Sequence, residues 1–364
     1  MLPFLQSAHG NASSLHQSGR FLRSAIETAR HQVADLINAS PQQVIFTSGG
    51  SEANNLAIKG FIEQAPGTTI VTSPIEHPSV LQPMRQLEQA GCALHWLGVT
   101  DQGVVDVMAA EGLIRQVQPE LLSIQLANNE TGAIQPVAQL AAMAHQAAGC
   151  LVHCDATQGI GKMDVDFQQL DVDLMTLSGH KFQGPQGVGA LIVKNQTLSN
   201  PLISGGPQES DRRAGTENVA MLVGLGKAAQ LAQIELQQRK AYLLELRRYF
   251  ELKLIGIPGV VIFSAETERL PNTSFFSIPY YHGETLLMQL DKAGFELASG
   301  SACHSGVTEP SHVLRAMGID EGMALNAVRV SFGMQNTFEQ IDQLIETMTN
   351  LINQLPAVMR QAAV

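Results

Sequence analysis

Positive charge is in short supply in this chain. The 22 Lys and Arg stand against 33 Asp and Glu, for a formal net charge of −11, and the basic residues form no run. A surface for nucleic acid or an anionic membrane replaces counterions with clustered cations, so neither partner is expected. Long apolar runs are also missing. No stretch reads as the ~18 to 20 apolar residues of a membrane-crossing helix, and Met1-Leu-Pro-Phe-Leu5 is too short for a secretory signal and lacks its charged start. A cytoplasmic location is expected. Cysteine is sparse: Cys92, Cys150, Cys154 and Cys303 make no disulfide framework in so long a chain. Cys150, His153 and Cys154 have no second ligand pair, and their alternation suits a buried strand, so no metal site is expected. No Gly-x-Gly-x-x-Gly opens the first strand-to-helix unit, which sets aside a dinucleotide-dependent oxidoreductase.

Apolar residues, by contrast, are ample. At 45% hydrophobic and 15% charged over 364 residues, the chain can bury a sizeable core and divide into two domains. Short β-branched runs alternate with amphipathic segments through the first half. Val44–Thr47, Thr69–Thr72, Ala93–Trp96, Leu121–Gln125, Leu151–Cys154, Leu174–Leu177 and Gly189–Val193 read as strands, with helical patterns between most of them, as at Pro78 to Gln89 and Val137 to Ala148. This alternation predicts an α/β domain with a mainly parallel seven-stranded sheet flanked by helices. A long helical stretch, Val219 to Leu254, then leads to strand-like Val260–Phe263 and Asn272–Ser277, and to a closing helix with Ile341, Leu344, Ile345, Met348 and Ile352 on one stripe. The division expected is a large domain over 1–235 and a smaller α+β domain over 236–364.

The chemistry-bearing residues stand just past the strands. Phe46-Thr-Ser-Gly-Gly50-Ser51 passes through two glycines into a helix, a turn whose free N–H groups can take a phosphate or merely ease the bend. His77 opens a helix and could stack on a flat ring or simply cap it. Asn128-Asn129 could be turn residues or bind a carboxylate. Asp155, at the end of an apolar run, needs a hydrogen-bonding or cationic partner, and Gln158 lies one helical turn on. Ser178-Gly-His180-Lys181 puts an amine just beyond a neighbouring strand. A lysine to form a Schiff base and a carboxylate to hold a pyridine nitrogen protonated are what pyridoxal phosphate requires of a protein. Arg212-Arg213-Ala-Gly-Thr216 suits a phosphate or carboxylate, and Arg329, interrupting an apolar strand, suits an amino-acid carboxylate. Cys303 lies in a loop of small residues, Ser299-Gly-Ser-Ala-Cys-His-Ser-Gly306, which favours a nucleophile over a packing residue.

Together these segments resemble the NifS/IscS-like cysteine desulfurases, class V members of the fold-type I pyridoxal-phosphate enzymes, with a group I type cysteine loop. The segments are Gly10–Ser14, Phe46–Asn55, Glu76-His77, Asn128–Glu130, His153–Gln158, Ser178–Lys181, Arg213–Asn218, Ser299–Cys303 and Glu309–Gly318, in family order over nearly the whole chain. The resemblance implies a homodimer with Lys181 as the Schiff-base lysine and Asp155 as partner of the pyridinium nitrogen. It implies His77 stacked on the ring and Gln158 on its phenolic oxygen. Gly50, Ser51, Ser178 and His180 would hold the phosphate, with Thr216 reaching the phosphate of the other subunit. Asn129 and Arg329 would bind the carboxylate of L-cysteine. Cys303 would take the sulfur as a persulfide, releasing alanine, for delivery to a sulfur-acceptor protein in iron-sulfur cluster assembly or thiolation. Family members usually open on a strand with Leu-Asp-x-x-Ala-Thr-Thr, and the match here begins downstream of it. Two neighbouring readings are a selenocysteine or other class V lyase, in which Cys303 is dispensable, and a pyridoxal-phosphate-binding sulfur-relay protein without turnover.

Overall fold

The computed structural model describes residues 1–354 except 7–9, 62–65, 147–148, 196–199, 280, 300–301 and 305–306; of 302–304 and 307–308 it describes the backbone. The chain divides into two compact units. The first comprises Met1–Gly98, Asp106–Leu126 and Gln135–Leu236; the second comprises Val99–Val105, Ala127–Ile134 and Gln237–Val364. Two short segments from the first half of the chain thus belong to the second unit, beside the residues from Gln237 onward. In the second segment Ile134 N–H donates to Glu268 O and Leu270 N–H donates to Gly132 O; in the first, Gln102 Oε1 accepts from the Glu266 N–H at 3.2 Å.

The first unit is built on seven strands: β1 (Val44–Thr47), β2 (Thr69–Thr72), β3 (Ala93–Trp96), β4 (Leu121–Gln125), β5 (Leu151–Asp155), β6 (Leu174–Ser178) and β7 (Gly189–Val193). They lie in the order β1-β7-β6-β5-β4-β2-β3, and only β7 runs against its neighbours. Each expected strand is present to within one residue, because helices cover the sheet and its strands are correspondingly apolar. Ile45, Leu174, Leu191 and Val193 of the sheet pack against Ala53, Leu56 and Ala57 of the helix Gly50–Gly60. The parallel strands β1, β4, β5 and β6 end at Thr47, Gln125, Asp155 and Ser178, so the crevice-forming edge of the sheet carries most of the polar residues singled out above.

The second unit holds a four-stranded sheet of β8 (Val261–Ile262), β9 (Thr273–Ser277), β10 (Ala298–Ser299) and β13 (Ala327–Ser331), in the order β10-β13-β9-β8, and a two-stranded ribbon of β11 (Ala302–His304) and β12 (Val307–Glu309). Its core gathers Phe250, Phe276, Leu286, Val328 and Met348. Ile341, Leu344 and Met348 are the buried stripe of the closing helix Phe338–Asn353.

The boundary at Leu236 falls within a single helix, Val219–Leu254. By length and composition this helix passes for a membrane span, with a window of mean hydropathy 1.2, contrary to the expectation of no such stretch. Leu222, Leu225, Ala229 and Ala232 are buried along its first half, and Leu246, Phe250 and Leu254 along its second. Those apolar residues line protein cores, and polar residues such as Gln230, Gln233 and Glu235 interrupt the run between them.

Candidate active site

In the first unit the site grows from the turn after β1. Gly49 takes φ 153°, and the helix Gly50–Gly60 starts immediately after it. Gly189 makes room for the turn, since a Cβ there would come within 2.8 Å of Gly49 C. Gly50 faces two other segments: a Cβ on it would meet Thr157 Oγ1 at 3.2 Å and Ser178 Cβ at 3.3 Å. Glycine thus leaves a gap between a helix N-terminus and two hydroxyl residues. Thr157 Oγ1 is buried there with no hydrogen-bond partner among the described residues. An orphaned buried hydroxyl, a vacant Cβ position and the positive end of an 11-residue helix are the elements of a phosphate cradle.

Beside the cradle lies Asp155, 6% exposed. Its Oδ2 accepts from Asn54 Nδ2 at 2.8 Å, and its Oδ1 accepts from the Thr157 N–H at 3.0 Å. His153, two residues earlier on the same face of β5, is held between Ser123 Oγ (2.8 Å) and Thr176 Oγ1 (3.1 Å). Burial lowers its pKa to about 4, so the imidazole is neutral. Glu76 is fully buried and raised to about 8, first by burial and also by the charge of Asp155, while the Ser73 hydroxyl and the Gln125 N–H donate to its Oε1. At neutral pH both neighbours are largely uncharged.

The other residues singled out in the sequence are arrayed as follows. Lys181 stands exposed on the 3-10 turn Gly179–Phe182 directly after β6. His180, also exposed, meets Ser178 Oγ through Nδ1 at 3.0 Å, and its pKa is lowered by partial burial and by Lys181 and Lys162. Ser51 is exposed in the first helical turn, and Gln158 Oε1 accepts from Lys162 at 2.8 Å. His77 caps the helix Pro78–Gln89, its Nδ1 accepting from the Ser79 N–H. Thr216 is exposed and lines a separate cavity of about 200 Å³ with Thr47, Ser48 and Arg213. Arg213 is fixed by a paired contact with Glu52, at 2.9 and 3.3 Å.

Within the second unit, Arg329 Nη1 donates to Asn129 O at 2.6 Å. Arg329 Nε and Asn129 Oδ1 are buried without hydrogen-bond partners among the described residues, as in a polar pocket awaiting a ligand. Burial lowers the Arg329 pKa, with Glu130 acting against it; Glu130 is itself raised by burial, against Ser311, His312 and Arg329. Cys303 pairs with Thr308 in the β11–β12 ribbon, and its side chain lies outside the described residues.

Sequence reasoning missed Asn54 and Thr157. Asn54 carried a signal, a polar side chain on the buried face that Ala53, Leu56 and Ala57 define; Thr157 carried none.

Residues 1–344 match the aminotransferase class-V family. The chain belongs to that family. It is 41% identical over 361 residues, 98% of its own length and 91% of the relative's, to a protein named cysteine desulfurase IscS from Dictyoglomus turgidum. A solved NifS-like protein superposes with a TM-score of 0.90 at 34% identity, covering 97% of this chain and 94% of the other. SspA, solved in complex with cysteine, superposes with a TM-score of 0.78 at 31% identity over 91% and 92%. This class V protein therefore has the fold of the pyridoxal-phosphate enzymes, and pyridoxal phosphate is its cofactor. The cradle at Gly50 and the buried carboxylate of Asp155 fit that group.

Proposed function

We propose that this class V enzyme is an L-cysteine desulfurase, converting L-cysteine to L-alanine and retaining the sulfur on Cys303. The observation that carries the reading is the cradle: Gly50, the orphaned Thr157 hydroxyl and Ser178 converge at a helix N-terminus beside buried Asp155. Gly50, Ser51, Ser178 and His180 hold the phosphate, Asp155 takes the pyridinium nitrogen, Gln158 the phenolic oxygen, and His77 covers the ring. Thr216 reaches the phosphate held by a second copy in a homodimer. Bound there, pyridoxal phosphate supplies an electron-withdrawing ring conjugated to the substrate α-carbon.

The chain's own residues do the rest. Neutral Glu76 and His153 leave Asp155 as the negative charge at the ring nitrogen. Lys181 anchors the cofactor and moves the proton at the substrate α-carbon. Arg329 and Asn129 take the substrate carboxylate, the arginine through a planar fork. The Cys303 thiolate attacks the substrate sulfur. A carbon–sulfur bond breaks, a sulfur–sulfur bond forms, and the electron pair with a proton goes to the carbon that becomes the methyl group of alanine. No external reductant is consumed. The persulfide is then available to a sulfur-acceptor protein in the cytoplasm, in iron-sulfur cluster assembly or a thiolation route.

Alanine and sulfide release from cysteine, measured with visible absorbance in wild type, Lys181→Ala and Cys303→Ser, tests this reading. Lys181→Ala is expected to lose the visible band and turnover, and Cys303→Ser to keep the band and lose turnover. A wild-type rate in Cys303→Ser would overturn the persulfide step and leave a lyase.

A further inference from the structure

Two residues outside that set connect His77 to Asp155. Asn54 Nδ2 lies 2.8 Å from Asp155 Oδ2 and 2.8 Å from Ser79 Oγ. Ser79 Oγ lies 2.7 Å from His77 Nδ1, and the Ser79 backbone N–H reaches the same nitrogen at 3.1 Å. The chain of bonds is His77, Ser79, Asn54, Asp155. All four residues belong to the first unit.

The direction of every bond follows from what each group can give. A carboxylate only accepts, so Asn54 turns its amide nitrogen to Asp155. The two N–H groups of Nδ2 are then spent, one on Asp155 and one on Ser79 Oγ. Having accepted from Asn54, the Ser79 hydroxyl has its hydrogen left for His77 Nδ1. The backbone N–H of Ser79 can only donate, so it too needs a lone pair on Nδ1. The proton of the neutral imidazole is therefore on Nε2.

Two further observations agree with this polarity. Asn54 is 1% exposed, yet its Oδ1 has no hydrogen-bond partner among the described residues. An unpaired buried acceptor is costly, so the amide keeps this orientation for the sake of its two N–H contacts. His77 also caps the 12-residue helix Pro78–Gln89, where the free N–H groups of the first turn disfavour a positive charge on the ring.

We propose that Ser79 is a positioning residue which, through Asn54, passes the polarity of the Asp155 carboxylate to His77 and locks its ring in the Nε2–H tautomer. His77 thereby enters the reaction as a hydrogen-bond and proton donor at Nε2. Taking up a proton at Nδ1 would break two contacts. The proposal rests on the assignment of Asp155 and His77 as cofactor-holding residues.

The test is nuclear magnetic resonance of the full-length enzyme, loaded with pyridoxal phosphate and carrying isotope-labelled histidine. Two-bond nitrogen–proton couplings report the tautomer of each ring, and His77 is assigned by its loss in His77→Gln. In wild type the Nε2–H tautomer is expected. Ser79→Ala is expected to give a mixture of tautomers and to lower kcat roughly two- to tenfold, the worth of one hydrogen bond, with KM nearly unchanged; Ser79→Thr restores both. A wild-type ring protonated at Nδ1, or a Ser79→Ala enzyme with unaltered tautomer and kcat, would overturn the proposal. The spectrum decides this even if the protein proves not to desulfurate cysteine. Conversely, the wrong tautomer in an active desulfurase overturns the relay and leaves the proposed function standing.

Discussion

Arg30 and Glu209, 179 positions apart, meet in a two-pronged ion pair with Nη1–Oε2 at 2.7 Å and Nη2–Oε1 at 2.8 Å. The Phe46 N–H also donates to Glu209 Oε2 at 2.9 Å, and Arg30 Nη1 donates to Val44 O, so the pair grips β1 just ahead of the Gly49-Gly50 turn. Burial disfavours the Arg30 charge, but the hydrogen bond and charge of Glu209 outweigh it and raise the pKa. Glu209, Ser210 and Asp211 all have left-handed backbone, with φ of 48°, 57° and 64°. Such a run of non-glycine residues persists only where its surroundings hold it, and Arg30 is one of the groups that do.

Breaking this pair is expected to be expensive. Glu209→Leu leaves a largely buried guanidinium with only the exposed Glu27 at its Nε, 3.2 Å away, and the Phe46 N–H without its acceptor, at a cost of about 3–5 kcal/mol. Replacing both residues, as Arg30→Met with Glu209→Leu, should cost less than Glu209→Leu alone, because no unpaired charge remains. Urea unfolding of the two variants beside wild type measures this, and a double variant weaker than the single would refute it.

Gly50→Ala tests the cradle. The backbone of Gly50 is outside the left-handed region, so alanine fits the chain, but its Cβ falls 3.2 Å from Thr157 Oγ1 in the space assigned to phosphate. Without cofactor the thermal midpoint should move little. Crowding of about 1–3 kcal/mol on the bound group corresponds to a roughly 5- to 150-fold weaker affinity for pyridoxal phosphate, read by titration of the apoenzyme. Equal affinity in both proteins would place the phosphate elsewhere.

The raised pKa of Glu76, about 8 when folded, gives a signed pH dependence. An unfolded glutamate titrates near ~4.3. Between those values the folded chain keeps a proton that the unfolded chain has lost, so stability falls as pH rises, by about 1.4 kcal/mol per unit. The contribution is complete below about pH 4 and exhausted above about pH 8. Glu76→Gln has no such proton, so its stability relative to wild type should improve by several kcal/mol between about pH 5 and about pH 8. His153, with its pKa lowered to about 4, is present in both proteins and largely cancels in the difference. A flat difference in urea unfolding across that range would mean that Glu76 ionises like a surface carboxylate.

Local pattern made the strands legible. Runs such as Leu121–Gln125 and Gly189–Val193 are apolar because helices cover them, and Asp155 and Lys181 were conspicuous for following such runs. Polar contacts between distant segments were another matter. Asn54 and Ser79 are 25 positions apart, and nothing in either neighbourhood names the other. The segments Val99–Val105 and Ala127–Ile134 read as ordinary connections of the first domain, yet both belong to the second unit, the one through the Gln102 side chain and the other through backbone bonds at Gly132 and Ile134.

By itself the sequence determined the alternation of strands and helices, hence the sheet and the edge at which its polar residues gather, because periodicity records which face of each element is buried. Tertiary structure alone decided which of those polar atoms are satisfied and which are left open. Thr157 Oγ1 lacks a partner among the described residues, Gly50 leaves a gap and Asn54 is turned toward Asp155 because of where three separate segments come together. Hydrogen bonding depends on distance in space, and residue spacing along the chain does not carry that distance.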